Sequence, residues 1–155
     1  MKLQDALDLR GRLTVQIMDG QNAVIESIRV NNSIVLTGRD LVAKLFVKQP
    51  IDPVSHVAVG TGTTAVDPKD EALQSEIFRK AVNPVDPSLH ITTTGEGKRK
   101  VTLTAELDFA DANAALTEAA LFNADTGGVM YNRVVFPPIN KTADFKLTLI
   151  WEIIF

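Results

Sequence analysis

Residues 145–155 read Phe145-Lys146-Leu147-Thr148-Leu149-Ile150-Trp151-Glu152-Ile153-Ile154-Phe155. Leu147, Leu149, Trp151, Ile153 and Phe155 recur at every second position, which places them on one face of a β-strand. Ile150 and Ile154 make the opposite face partly apolar as well. A strand apolar on both sides belongs in the middle of a sheet or beneath a second layer. The segment therefore predicts a mainly β domain with Trp151 in its core, and it predicts that Phe155 is packed.

Neighbours for that strand are visible on either side of the chain. Arg12–Met18, Asp19-Gly20-Gln21-Asn22 and Ala23–Val30 have the chemistry of strand, turn and strand, and Leu13, Val15 and Ile17 alternate with Thr14 and Gln16. Further strands are expected at Val54–Gly60, Ile77–Val82, Leu89–Thr94, Arg99–Phe109, Thr117–Ala124 and Val129–Phe136. They are separated by Gly95-Glu96-Gly97-Lys98, the alanine-rich 110–115 segment, Asp125-Thr126-Gly127-Gly128 and the Pro137-Pro138 break.

Two helices interrupt this pattern. Thr37-Gly38-Arg39-Asp40 resembles a capping box, and Leu41, Val42, Leu45 and Phe46 follow at helical spacing before Pro50. A second helix is expected from Pro68, with Asp67 as its cap and Leu73 and Ile77 on its inner side. The expected fold is mainly β (α+β): an antiparallel β-sandwich or barrel-like domain of about eight strands, with an N-terminal β-hairpin and one or two short helices. Residues 1–155 make a single domain, and residues 1–11 form an N-terminal arm.

The 155 residues are 45% hydrophobic and 23% charged, a composition that buries a real core and is far from the polar signature of disorder. Net charge is −3, so no basic field favours phosphate neutralisation, and direct nucleic-acid binding is not expected. Cysteine is absent, which removes thiolate nucleophiles, disulfides and cysteine-based metal sites together. Met1–Arg10 lacks the basic start and apolar run of a signal peptide, and no stretch approaches the roughly 20 apolar residues of a membrane span. Neither secretion nor membrane contact is expected.

Several segments invite a chemical reading and fall short of it. Gly60-Thr61-Gly62-Thr63-Thr64 looks like a phosphate loop but has neither the P-loop lysine nor the third glycine of a dinucleotide fingerprint, so we read it as a turn. His56 and His90 sit on different expected strands without metal-ligand spacing. Asp108, Asp111, Asn113 and Glu118 faintly resemble a calcium ligand set, without the EF-hand spacing or its central glycine. Lys98-Arg99-Lys100 is the one compact basic run, and it reads as a solvated hairpin end. No nucleophile elbow is present. These readings give no catalytic, cofactor-binding or metal-binding residues, no cofactor and no enzyme.

Val57-Ala58-Val59-Gly60-Thr61-Gly62-Thr63-Thr64, Ala119-Ala120-Leu121-Phe122-Asn123-Ala124, Gly127-Gly128-Val129-Met130 and Phe136-Pro137-Pro138-Ile139-Asn140-Lys141-Thr142 resemble segments of a loose family of small virion structural proteins of tailed bacteriophages. The resemblance runs from Leu13 to Phe155. It implies a virion component assembled in the host cytoplasm, forming a homo-oligomer and contacting other virion proteins, either the major capsid protein or tail and baseplate proteins. Capsid decoration or cement is the favoured role, with a tail, baseplate or fibre-associated role as the alternative. A carbohydrate or receptor-binding module is the second alternative; it would need exposed aromatic platforms, and Trp151 and Tyr131 are the only Trp and Tyr.

Overall fold

The computed structural model describes residues 10–155. Its elements are β1 (Arg10–Met18), β2 (Val24–Ile34), α1 (Leu36–Phe46), β3 (His56–Gly60), β4 (Glu76–Ala81), α2 (Pro87–His90), β5 (Ile91–Thr93), β6 (Arg99–Leu107), β7 (Ala115–Phe122), β8 (Met130–Asn140) and β9 (Lys146–Ile154). The nine strands form one antiparallel sheet in the order β4-β3-β7-β8-β2-β1-β9-β6-β5, curled into a half-barrel. The mainly β, barrel-like expectation thus holds, as does the N-terminal hairpin.

β9 is central. It pairs with β1 on one side and β6 on the other, so that Trp151 stands between Leu13 and Leu103, and Leu149 between Val15 and Ala105. Opposed residues on neighbouring strands point the same way, and these rows are all buried. The outward rows are mainly polar, with Ile150 and Ile154 as exceptions: Glu152 stands between Arg12 and Thr102, and accepts hydrogen bonds from Arg12 Nη2 (2.7 Å) and Lys100 Nζ (2.8 Å).

The two halves of the sheet meet at a narrow seam. β2 pairs with β8 only at Ser33–Arg133 and Ile34–Asn132. Inward side chains of both halves share one core, in which Val57, Val59, Ala119, Leu121 and Val134 join Leu13, Leu149 and Trp151. The β3–β7–β8 half also buries its other face, where Ala58, Ala120, Phe122 and Met130 pack with Val35 and with Leu73 and Val66 of the 61–75 connection.

Four local expectations are corrected. The second helix does not form at Pro68: Asp67 Oδ1 accepts from the Lys69 amide and Asp67 O from the Asp70 amide, giving a turn, while Ile77 belongs to β4. The second helix is instead the single turn α2, where Asp86 Oδ1 accepts from the Ser88 amide and Pro87 opens the helix. α1 begins after Val35 without a side-chain cap, and Thr37 Oγ1 donates to Met130 O (2.7 Å), so the hydroxyl expected to cap the helix fastens it to β8. Phe155 is 42% exposed although its backbone pairs with Arg99. β8 runs through Pro137-Pro138 because it bulges there, taking four steps against two along β7 between the pairs Glu118–Val135 and Leu116–Ile139. Of the arm expected over 1–11, Arg10 and Gly11 lie in β1, and the rest falls outside the described residues.

Candidate functional site

The side chains that carry charge into the interior are consumed as braces. Glu118 is fully buried on β7. Its Oε1 accepts from the Gly62 (3.0 Å) and Ser75 (2.7 Å) amides, and its Oε2 from the Gln74 amide (3.0 Å) and Arg133 Nε (3.0 Å). Arg133, 1% exposed on β8, also donates to Asp70 Oδ2 (2.9 Å) and to Thr64 O (3.1 Å). Gly60 and Gly62 leave the room this needs, since a Cβ on either would fall about 2.5 Å from Glu118 Oε1. The Gly60–Thr64 loop is therefore strapped down: its Gly62 amide donates to Glu118, its Thr61 amide to Ser75 O and its Thr63 and Thr64 amides to Gln74 Oε1, so the amides a phosphate would use are already taken.

Glu118 is thereby separated from the other three acids and amides with which it was grouped. Asp108, Asp111 and Asn113 stay together in the β6–β7 connection, and a lysine occupies the place of a cation among them. Lys141 Nζ donates to Asn113 Oδ1 (2.8 Å), Thr142 O (2.9 Å) and Phe109 O (3.2 Å). Burial lowers the Lys141 pKa against the opposing pull of Asp111 and Asp108. Burial of Asp111 works against its ionisation, but the Asp108 amide and Lys80 Nζ (3.2 Å) outweigh it and hold its pKa below the usual value. No group of three or more His, Asp or Glu residues is placed to hold a metal among the described residues.

The histidines are also spent locally. His56 Nδ1 lies 2.8 Å from Ser55 Oγ, and His90 Nδ1 accepts from the Asp86 amide (2.8 Å) at the end of α2 rather than within a strand. In the basic run, Lys100 is paired with Glu152, and Arg99 hydrogen-bonds to Thr93 Oγ1. Trp151 and Tyr131 are 0% and 3% exposed, so neither forms a platform at the surface.

One of the grooves the fold leaves open is almost wholly apolar. A groove of about 340 Å³ lies on the concave side of the half-barrel. Leu41, Val42 and Leu45 of α1 form one wall, and Val101 of β6 and Ile153 of β9 lie across from it. Val85 and Phe155, each 42% exposed, also line it. α1 is held at this distance from the sheet by Gly38, where a Cβ would fall 1.9 Å from Tyr131 O. Beyond Leu45, Phe46 is 89% exposed and Val47 61%, which extends the apolar surface past the end of the helix.

Tyr131 is the only side chain of the groove that carries a polar atom, and its buried hydroxyl has no hydrogen-bond partner. Burial raises its pKa to about 12 despite the nearby Arg39. Sequence reasoning missed this groove because its walls come from six separate segments; the one signal available was the helical stripe of Leu41, Val42 and Leu45. No family model matches the chain, and neither a curated protein nor a solved structure matches it.

Proposed function

We propose that this chain is a non-enzymatic structural protein of a tailed-phage virion, which stabilises the particle by packing against copies of itself and against neighbouring virion proteins. The observation that carries the reading is the uncovered apolar surface running from the groove over Leu45, Phe46 and Val47. A contiguous apolar area on a surface marks a contact with another macromolecule, whereas a lone exposed leucine does not. The resemblance of the 57–64, 119–124, 127–130 and 136–142 segments to small virion proteins supplies the setting. Capsid decoration is favoured over a tail or baseplate position.

The test is mass spectrometry of purified virions. The chain is expected in the particle, with interfaces burying more than roughly 1,000 Å² in a map of it. Hundreds of copies per particle place it on the capsid, and a few to tens place it on the tail. Its absence from particles would sink the proposal. The carbohydrate-binding alternative is less favoured because Trp151 and Tyr131, the only Trp and Tyr, are both buried.

A further inference from the structure

We infer that the groove between α1 and the β6–β9 floor is the receptor for residues 1–9 of a neighbouring copy, with Leu3 and Leu7 as the anchoring side chains. The inference rests on the assembly reading and names the contact that makes it. Three observations point to this occupant.

The first is where the chain leaves the sheet. Arg10 pairs with Ile154 and Gly11 with Ile153, so residues 1–9 depart beside the β9 end that lines the groove. Nine residues span up to about 30 Å when extended, which is enough to reach an adjacent molecule. The groove extends back over the sheet, with Ile153 in the row of Gly11 and Leu103 in the row of Leu13. To fill the groove of its own chain the segment would have to reverse at once. Asp5-Ala6-Leu7-Asp8-Leu9-Arg10 has neither glycine nor proline for a tight reversal.

The second is chemical pattern. Met1-Lys2-Leu3-Gln4-Asp5-Ala6-Leu7-Asp8-Leu9 places Leu3 and Leu7 four apart with Ala6 beside Leu7, apolar side chains set among Lys2, Gln4, Asp5 and Asp8. The groove offers a matching apolar trough between Leu45, Val85 and Val101. The third is the Tyr131 hydroxyl, unpartnered on a side chain 97% buried by its 3% exposure. A buried hydroxyl without a partner is costly, and a peptide carbonyl satisfies it whereas a hydrocarbon does not. That favours a peptide over a lipid or another purely apolar ligand.

The native chain has no cysteine, which allows a direct test with the full-length protein. Leu7→Cys and Val85→Cys chains are prepared separately, one of them isotope-labelled, mixed, and oxidised. The mixed disulfide is expected at about tenfold or more over a Leu7→Cys and Asp125→Cys control pair, because docking raises the local thiol concentration. Adding Leu3→Arg to the Leu7→Cys chain is expected to return the yield to that of the control. Leu45→Cys, at a 39% exposed groove position, replaces Val85→Cys if the latter fails to fold. A disulfide that forms only within a single chain carrying both cysteines would overturn the exchange between copies. No disulfide in either format, from folded chains, would overturn the docking altogether. If the chain is nonetheless found in virions, the assembly reading stands and only this contact falls.

Discussion

Glu118→Gln removes one charge from the interior and changes almost no volume, so its effect isolates the electrostatics of the strap. The carboxylate accepts from three backbone amides and from Arg133, all within 3.0 Å. A glutamine has one acceptor oxygen. If that oxygen faces the Gly62 and Ser75 amides, its NH2 group is turned toward the Gln74 amide and the Arg133 guanidinium, donor against donor. Arg133, 1% exposed, is left with Asp70 as its one anionic partner. Removing one member of a buried pair costs about 3 to 5 kcal/mol. For a domain whose total stability is about 5 to 15 kcal/mol, that is a large share.

Trp151, the one tryptophan, is buried in the core and reports unfolding by fluorescence. With a urea dependence of about 1 to 3 kcal/mol per molar, the midpoint should fall by roughly 1 to 5 M. With the oxygen facing Gly62 and Ser75, hydrogen exchange should lose protection first at the Gln74 amide, and with the amide turned the other way at the Gly62 and Ser75 amides, because one side of the strap loses its acceptor. In a double-mutant cycle, Arg133→Met should cost less in the Glu118→Gln background than in the native chain, since the stranded guanidinium is then gone. A loss below about 1 kcal/mol with those amides still protected would refute the claim that this carboxylate holds the loop.

Trp151→Ala should destabilise the fold by about 3 to 5 kcal/mol in the same urea assay, because the ring is fully buried between Leu13 and Leu103. A variant that folds normally but fails to assemble would reverse the roles assigned here. Tyr131 is the only tyrosine, so its ionisation can be read from phenolate absorbance in the native protein. With its pKa raised to about 12 by burial, the unfolded chain loses the proton first as pH rises above about 10, and stability should fall between there and 12. Tyr131→Phe should abolish that alkaline loss; a native phenolate appearing near pH 10 would contradict the burial. Glu152 is held below the usual glutamate value chiefly by the Lys100 hydrogen bond, burial opposing and Arg12 assisting. A depressed carboxylate stabilises above its unfolded pKa and ceases to as pH falls through its folded one. The stability difference between native chain and Glu152→Gln should thus be flat near neutrality and shrink below about pH 4.5. A difference that persists unchanged in acid would assign the effect to packing.

The strands were legible where one period governs a long run. Leu13 to Ile17 and Leu147 to Ile153 alternate so regularly that only a two-sided sheet position suits them, and β1 and β9 pair in the structure. The 61–75 connection was not legible, because its conformation is set by partners distant in sequence. Asp67-Pro68 has the local chemistry of a helix start, yet Asp70 is drawn to Arg133 and the Gln74 side chain to the Thr63 and Thr64 amides. Glu118 was misplaced by reading it with its neighbours in sequence. A lone acid within Ala-Leu-Thr-Glu-Ala-Ala-Leu-Phe and a lone base within Met-Tyr-Asn-Arg-Val-Val-Phe are each anomalous in a buried strand. Taken together they would have suggested each other as partners. α2 was missed for a smaller reason: Asp86-Pro87-Ser88 carries the cap and the N1 proline, but Leu89 and Ile91 pull the eye to a strand.

The structure also redistributes the surfaces open to neighbours. In the N-terminal hairpin, β1 is enclosed by β2 and β9 along its length and has no edge to offer. Of the two hairpin strands β2 keeps one, with Val24 and Ile25 50% and 64% exposed and, among the described residues, no strand pairing on its outer side before Ser33. Edge pairing through β2 would be carried by backbone hydrogen bonds and would tolerate many side chains. The groove is different, because its shape depends on Gly38 letting α1 approach the Tyr131 carbonyl and on Val85 and Phe155 at its margins. A contact that selects one partner needs such shape and such a fixed polar point as the Tyr131 hydroxyl. The groove therefore suits the specific contact in the proposed assembly, and the β2 edge at most an auxiliary one.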